Sequence, residues 1–518
     1  MPEHSKPPPG LLPIVGSQTK ENHPRRALDK ATEIVRAVQD GSIDPVEVLA
    51  EHRRRFEETH GRLNALVQVD HVEAARSLPG LDRDAALAGV PVSVKECFAV
   101  RGLRTTLGIP ARRDAIDMVD APIVSRLRAL GGVVVGKSNV PQAMYLHETT
   151  NPVWGQTNHP ERADRGPGGS SGGDAALVAA GVVPLAIGND LAGSVRQPAQ
   201  ACGIAALLPR SAALGNAGGF DTLPNFDLIN SRAGFLAAGV ADLTLAATAF
   251  GIVPSEPAAV LSRPQRIALW PEAGLFSPAA AVRRGVAEAA AVLQAAGHQV
   301  DQLDDSLAVE AAWLMFGLLS GDGGEDIREL FGTDRPIRSV GRLLRIAGLP
   351  RRIRPPLGAL LAGLGQRIEA AALRATGPRT AAGWGWLKER RLQVTEQVAQ
   401  LRVRYDAILC PVSSLPALRH GTAARLVAAA APCLLANLVD LAAGVVPVTR
   451  VEATEEKTRP WSPDRVLRAA AATERGSAGL PIGVQVIGLA DGPAAEQSVL
   501  ELLAVIEGGA CFSRSVRR

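Results

Sequence analysis

The sequence predicts an α/β fold in which one large domain holds a mixed, twisted β-sheet covered by helices on both faces. Short apolar and β-branched runs, such as 88–96 and 132–139, have the length and composition of buried strands. Segments with helical periodicity separate these runs, and this alternation is typical of a sheet between two helical layers. Neither a repeat nor a linker interrupts the 518 residues, so a single unit is the simplest prediction.

The first half of the chain alternates helices and strands. Helical periodicity over 28–58 is broken by a turn at 40–41, and Pro45 lies where a second helix would begin. Later helix–strand pairs are predicted over 121–139 and 174–187, each ending in a β-branched or apolar run.

The second half repeats this pattern around a helical interruption. Residues 264–300 predict a strand, a helix and another strand, whereas 303–400 carry helical patterns with few strand signals. Three further strands and a final helix are predicted at 405–412, 444–451, 479–488 and 494–507.

The composition is that of a globular protein with no general affinity for nucleic acid. Hydrophobic residues make up 46% of the chain, charged residues 21%, and the net charge is +4. The odd number of scattered cysteines has no CxxC or metal-ligand spacing, which favours reduced thiols in a cytoplasmic protein. They are Cys97, Cys202, Cys410, Cys433 and Cys511.

No terminal or internal segment has the pattern of a membrane span. Residues 1–27 are proline-rich and lack the basic start and apolar run of a signal peptide, so we expect a flexible lead-in. The apolar segment 426–448 is interrupted by Pro432, Asn437 and Asp440, and it is therefore predicted to be buried core.

One segment is strongly basic. Residues 335–368 contain eight arginines and no acidic residue. The first seven arginines are interleaved with leucine and isoleucine, and the apolar run 357–364 comes after them. Such a segment fits a surface that contacts an anionic membrane interface. A solvated helical face that packs on its own protein is an equally good interpretation.

The glycine- and serine-rich stretch 166–196 is the strongest functional signal. A phosphate-binding loop would need a lysine after the glycines, but Asp174 stands there. A histidine-based serine hydrolase is also disfavoured, because the nine histidines are isolated in the sequence. Lys95, at the end of an apolar strand, can instead lose its proton on burial and serve as the base for a serine.

Three spaced motifs carry a resemblance to a known family. They are GVPVSVKE at 89–96, PGGSSGG at 167–173 and DLAGSVR at 190–196. Together they are similar to the amidase signature family, and the likeness runs over most of the chain. The run NVPQAM at 139–144 and NPVWGQT at 151–157 resemble members that hydrolyse fatty acid amides.

The resemblance implies a Ser-Ser-Lys triad that hydrolyses amides. Lys95 would be the base, Ser170 the relay in a cis peptide linkage, and Ser194 the nucleophile that forms an acyl-enzyme. The same resemblance implies an oxyanion hole, in which backbone donors stabilise the tetrahedral intermediate. These donors would be the N–H groups of Leu191, Ala192, Gly193 and Ser194.

Further roles follow from the same likeness. Asp190 and Arg196 would brace the turn, Met144 would line the substrate site, and 335–368 would be a cap-like insert that contacts an anionic membrane. The substrate would be an N-acyl amide with an apolar acyl part. No cofactor, metal or nucleic acid is expected, and a homodimer is a possible assembly.

Several positions depart from the family pattern and leave alternatives open. Ala192 replaces the first glycine of the usual GGS turn, 206–210 and 234–238 differ from the usual motifs, and His159 replaces an asparagine. An amide-forming acyltransferase and a degenerate, membrane-associated binding protein are therefore alternatives. An amidotransferase subunit that acts on charged tRNA has the same signature.

Overall fold

A computed structural model describes residues 28–223, 225–255, 263–510 and 512; the expected lead-in, 1–27, lies outside these ranges. The described chain forms seventeen α-helices and thirteen strands. The helices are α1 Ala31–Gln39, α2 Pro45–Leu63, α3 His71–Ser77, α4 Pro122–Ala129, α5 Gly172–Ala179, α6 Arg196–Cys202, α7 Val240–Ala249, α8 Ala280–Ala295, α9 Ser306–Leu319, α10 Glu325–Phe331, α11 Arg338–Ala347, α12 Arg354–Gly363, α13 Arg367–Ala375, α14 Ala381–Arg402, α15 Leu434–Leu438, α16 Arg465–Glu474 and α17 Ala494–Gly509. The strands are β1 Leu66–Val69, β2 Pro91–Lys95, β3 Val133–Ser138, β4 Thr150–Asn151, β5 Gly155–Gln156, β6 Leu185–Asp190, β7 Ala205–Leu208, β8 Arg232–Ala237, β9 Arg266–Leu269, β10 Gln299–Gln302, β11 Ala407–Pro411, β12 Ala443–Arg450 and β13 Pro481–Gly488.

A single mixed sheet organises the fold. Eleven strands pair in the order β1-β3-β2-β6-β8-β7-β12-β13-β11-β9-β10, and β4 pairs with β5 separately. Strand β2 is parallel to both β3 and β6, and β9 is parallel to both β10 and β11. The remaining pairs in the sheet are antiparallel. The predicted α/β fold class is confirmed.

Helices cover both faces of the sheet. Strand β6 shows this directly, because Leu185 and Ile187 belong to one apolar cluster and Ala186 belongs to another. The first cluster includes side chains of α7 and α17, and the second includes side chains of α5 and α6. Since successive strand residues point to opposite faces, a strand buried on both sides becomes uniformly apolar in sequence.

Local sequence signals account for the helix boundaries near the N-terminal end of the described chain. The Asp44 side chain accepts a 2.8 Å hydrogen bond from the Val46 N–H, and Pro45 occupies the first turn of α2. This arrangement satisfies a backbone donor that the helix itself leaves unpaired. The helix predicted to begin at this proline therefore does so.

The region between β10 and β11 is helical, as the sequence predicts, and contains α9 to α14 in the described chain. Within it, the arginine-rich segment forms α11, α12 and the beginning of α13. Six of its arginines are exposed, but Arg354 is buried and donates to Ile346 O at 2.8 Å and Leu373 O at 3.0 Å. Arg354 thus satisfies carbonyl groups at the ends of α11 and α13, where cations are favoured.

The parallel pairing of β2 and β6 places two functional segments at one edge of the sheet. Val94 of β2 is opposite Ile187 of β6, so Lys95 and Asp190 end neighbouring strands. The carboxyl ends of adjacent parallel strands meet at the same edge, where loops form binding sites. Helix α5 begins at Gly172 and brings the serine-rich loop to this edge.

Candidate active site

Lys95 is completely buried at the end of β2. Its Nζ lies 2.7 Å from Ser170 Oγ, 3.0 Å from Asn189 O and 2.6 Å from Asn189 Oδ1. Burial lowers the pKa of Lys95 below its usual range, although nearby acidic groups partly oppose this shift. The position therefore favours a neutral amine that can accept a proton.

Ser170 precedes helix α5, and the Gly169–Ser170 peptide bond is cis. The next residue, Ser171, donates its N–H to Ser194 O at 3.0 Å. This hydrogen bond joins the serine-rich loop to the turn that carries Ser194. Ser170 and Ser194 are 2% and 8% exposed, and both line the same cavity.

The turn at 190–196 is organised by a buried ion pair between Asp190 and Arg196. The Asp190 carboxylate accepts hydrogen bonds from the N–H groups of Gly193 at 2.6 Å and Val195 at 3.0 Å. Arg196 donates to the same carboxylate through Nε and Nη2, each at 3.1 Å. Four hydrogen bonds to one carboxylate therefore hold both ends of the turn that contains Ser194.

The charges of this pair are balanced within the protein. Burial tends to raise the pKa of Asp190, but the Arg196 guanidinium and the backbone donors outweigh burial and hold it well below its usual range. Arg196 also donates to Asn437 Oδ1 at 2.5 Å and Gln485 Oε1 at 3.1 Å. Asn437 and Gln485 complete the support of the turn, and sequence reasoning missed both.

Gly193 is placed differently from the other three oxyanion donors that the resemblance implies. Its N–H is bonded to Asp190. In the described chain, the N–H groups of Leu191, Ala192 and Ser194 have no acceptor, and these residues line the cavity. Three of the four backbone donors that the resemblance implies are thus free of a protein acceptor, as an oxyanion hole requires.

Ala192 fits the turn despite its side chain. Its φ lies outside the left-handed region, which Gly193 occupies with a φ of +96°. A Cβ at Gly193 would lie 2.8 Å from Cys433 Cβ, whereas the Ala192 methyl group lies against the apolar cluster that includes Leu434. Glycine is therefore required at 193 and replaceable at 192.

His147 holds the outer side of the same turn. It lines the cavity, and its Nε2 donates to Ala192 O at 3.1 Å. Burial lowers the pKa of His147 to about 4, so the ring is neutral at physiological pH. The Ala192–Gly193 peptide is consequently fixed at its carbonyl by His147 and at its N–H by Asp190.

A cavity of about 500 Å³ extends from Ser170 and Ser194 to the arginine-rich helices. This volume is within the range of sites for small organic ligands. Met144 lies in the wall of this cavity, with a left-handed φ of +55°. Most of the wall is apolar, and it includes Trp313, Phe316, Leu343, Ile346, Leu361 and Leu373.

The family model described as amidase matches residues 47–498. The chain belongs to the amidase signature family. Fatty-acid amide hydrolase 1 of Sus scrofa is 31% identical over 503 residues, which cover 92% of this chain and 84% of the relative. Amidase 2 of Gibberella moniliformis (strain M3125 / FGSC 7600) is 36% identical over 310 residues, or 58% of this chain and 59% of the relative.

Solved structures agree on the fold of this amidase. A fatty acid amide hydrolase structure superposes with a TM-score of 0.75 at 21% identity and covers 92% of this chain and 85% of its own. The chain is accordingly an enzyme that hydrolyses amides. In the described ranges, every helix is too short or too polar to cross a lipid bilayer. No cluster of three or more potential metal ligands occurs there.

The structure also places beside Lys95 a residue that the sequence analysis did not single out. Asn189 contacts the Lys95 amine through two oxygen atoms. Asn189 directly precedes Asp190, the first residue of the third motif. A polar residue at the end of a buried strand was the sequence feature that could have indicated its position beside Lys95. His147 left no comparable sequence signal, because its partner, the Ala192 carbonyl, belongs to the backbone.

Proposed function

We propose that this amidase hydrolyses the C–N bond of an N-acyl amide through Ser194 as nucleophile, Ser170 as relay and Lys95 as base. The observation that carries this proposal is the 2.7 Å contact between a buried Lys95 amine and Ser170 Oγ, beside the Ser194 turn. A buried neutral lysine is an effective general base near neutral pH.

In the proposed reaction, Ser194 Oγ attacks the amide carbon as its proton passes to Ser170, whose own proton passes to Lys95. The free N–H groups of Leu191, Ala192 and Ser194 stabilise the oxyanion. The proton returns along the same route to the leaving nitrogen, because an amine departs only when protonated. Water then cleaves the acyl-enzyme, and the serines and lysine return to their starting protonation states.

The apolar wall of the cavity supports an apolar acyl part. A chain lying between Ser194 and helices α11 to α13 would contact mostly leucine, isoleucine and aromatic side chains, which favours burial of methylene groups at about 0.8 kcal/mol each. The printed name of the Sus scrofa relative, a fatty-acid amide hydrolase, agrees with this substrate class.

The proposed roles of Ser194 as nucleophile and Lys95 as base are tested by covalent labelling of the serine and by measurement of kcat. A fluorophosphonate should label Ser194 in the wild type, and Lys95→Met should reduce both labelling and kcat about 10²–10⁴-fold. The exposed Lys388→Met variant is the matched control and should behave as wild type. Labelling at another serine, or full activity of Lys95→Met, would contradict the assignment.

The acyl preference is tested with a series of acyl amides that differ in chain length. Ala372, on α13, lines the part of the cavity that the helical insert contributes. Ala372→Trp should raise KM for long-chain amides and leave short-chain amides unchanged, because it obstructs the part lined by the insert and leaves the wall around the serines unchanged. An equal effect on all chain lengths would count against this orientation of the acyl chain.

We also propose that the arginine-rich helices contact an anionic membrane. Exposed Ile353, Leu360 and Leu364 lie in the same segment as the exposed arginines, and this combination favours interfacial binding. Leu360→Glu with Leu364→Glu should abolish flotation with phosphatidylserine-containing vesicles. The control is Leu392→Glu, which changes an equally exposed leucine on α14. Flotation that is unchanged in the double variant would refute the contact.

A further inference from the structure

The lysine amine has three hydrogen-bond neighbours, and two of them can only accept. Asn189 O and Asn189 Oδ1 are carbonyl oxygens, at 3.0 Å and 2.6 Å from Lys95 Nζ. A neutral amine has two N–H groups and one lone pair. If both N–H groups donate to Asn189, the lone pair is left for the third neighbour, Ser170 Oγ, at 2.7 Å.

The orientation of the Asn189 amide decides whether this arrangement holds. A flipped amide would present its NH₂ group to Lys95 and occupy the lone pair. In the structure, Asn189 Nδ2 instead donates to Asn216 Oδ1 at 3.3 Å. Asn216 Nδ2 in turn faces two acceptors, Gly219 O and Asp221 Oδ1, each at 3.5 Å.

These two acceptors determine how the side-chain amides of Asn216 and Asn189 are oriented. Neither the Gly219 carbonyl nor the Asp221 carboxylate can donate, so the NH₂ group of Asn216 must face them. Asn216 Oδ1 then faces Asn189, and Asn189 Oδ1 faces Lys95. Each side chain therefore donates a hydrogen bond to the next one, in the order Lys95, Asn189, Asn216 and Asp221.

We infer that Asn189, oriented through Asn216 by Asp221, is a positioning residue that directs the lone pair of Lys95 toward Ser170. This inference rests on the proposed role of Lys95 as the base. The same geometry serves the protonated lysine, because the third N–H then points at Ser170 Oγ while Asn189 keeps the other two. The proton taken from Ser170 can return along the same line without rotation of the amine.

Charged groups around Lys95 affect its pKa, and this pKa can be measured. The ionisable groups that act on Lys95 are Cys97 beyond β2, Asp174 on α5, Asp190 at the end of β6, and Asp221 on the loop after β7. The carboxylates favour the protonated amine, against the opposing effect of burial. A negative charge added at 189 should raise the Lys95 pKa, and a charge removed at 221 should lower it.

The experiment measures the pH dependence of Ser194 labelling by a fluorophosphonate and, separately, of amide hydrolysis. Because neutral Lys95 is the active form, both rates rise with pH through the lysine pKa. Asn189→Asp should move this acidic limb upward by about 1–3 pH units. Asp221→Asn, which retains the size of the side chain and removes its charge, should move it downward.

A surface variant and a stability measurement distinguish an effect on the Lys95 pKa from a loss of folded structure. Gln294→Glu adds one negative charge on an exposed face of α8 and should leave the pH profile unchanged. Thermal unfolding of each variant reports structural loss, which lowers rates at every pH without moving the limb. If Asn189→Asp does not fold, Asp221→Asn alone decides the question.

The inference is overturned if the acidic limbs of wild type, Asn189→Asp and Asp221→Asn coincide. Its failure is distinguishable from failure of the proposed function. If no amide is hydrolysed but labelling of Ser194 shows the two opposite shifts, amide hydrolysis through this site fails and the role of Asn189 stands. If amides are hydrolysed with unshifted limbs, the role of Asn189 fails alone.

Discussion

Gly193→Ala is the substitution to which the Ser194 turn should be most sensitive. Gly193 has a φ of +96°, and an added Cβ would lie 2.8 Å from Cys433 Cβ and 3.1 Å from Cys433 Sγ. Cys433 is completely buried and its carbonyl accepts from Arg196, so it cannot move away freely. The turn must shift instead, and with it the N–H groups of Ala192 and Ser194.

The expected magnitude has a stability part and a catalytic part. An alanine at this φ costs about 1–2 kcal/mol, and insertion of a methyl group into a packed site costs about 1–3 kcal/mol. Displacement of one oxyanion donor lowers kcat by about 10²–10³-fold, which corresponds to about 2.7–4 kcal/mol. We therefore expect a lowered unfolding temperature and a loss of kcat at least 10²-fold with little change in KM.

The assay compares kcat, KM and thermal unfolding with two matched controls. Gly297→Ala places the same change at a φ of +91° with nothing within 4 Å of the new Cβ, so it isolates backbone strain. Ala192→Gly should remain close to wild type, because 192 does not need a glycine conformation. If Gly193→Ala retains kcat to within about threefold of the wild type, the contact with Cys433 does not control the turn and this reasoning is refuted.

Three further predictions concern stability and the helical insert. Asp190→Asn leaves the buried Arg196 charge without its partner and should lower the free energy of unfolding by about 3–5 kcal/mol; an unchanged denaturation midpoint would contradict this. Burial lowers the pKa of His159 from 6.5 to about 4, so its contribution to stability is complete above pH 6.5 and is lost as the pH falls toward 4. His159→Gln should accordingly reduce the slope of stability against pH in this window, by up to about 1.4 kcal/mol per pH unit, as measured by urea unfolding. Arg354→Met removes the donor to the carbonyls of α11 and α13 and should accelerate tryptic cleavage within 335–368, whereas exposed Arg345→Met should not.

Much of the fold could be predicted from local patterns. Strands β2, β3 and β6 follow from short buried runs, and α2 follows from Asp44 and Pro45. These signals are readable because strand and helix periodicity and helix caps involve residues close together in the chain. The order of strands in the sheet was not readable, because it depends on packing between distant segments.

The departure at Ala192 shows what a motif does not contain. The sequence shows only that a glycine of the family pattern is replaced, whereas the structure shows that Ala192 does not adopt the left-handed conformation that Gly193 adopts. The four oxyanion donors stay a prediction, and the structure adds that the N–H of Gly193 donates to Asp190. Both points depend on backbone angles and hydrogen-bond directions, which a sequence comparison does not contain.

The sequence by itself determined the family, and the resemblance of three motifs to that family predicts Lys95, Ser170 and Ser194 as the catalytic residues. Only the tertiary structure decided how these residues are supported. Asn437 and Gln485 reach Arg196 across 241 and 289 positions of the chain, and the cavity wall is assembled from helices far from the motifs. Nearby residues interact in any fold that keeps the local conformation, whereas distant residues meet only after the whole core has packed. That packing supplies the buried environment that lowers the pKa of Lys95.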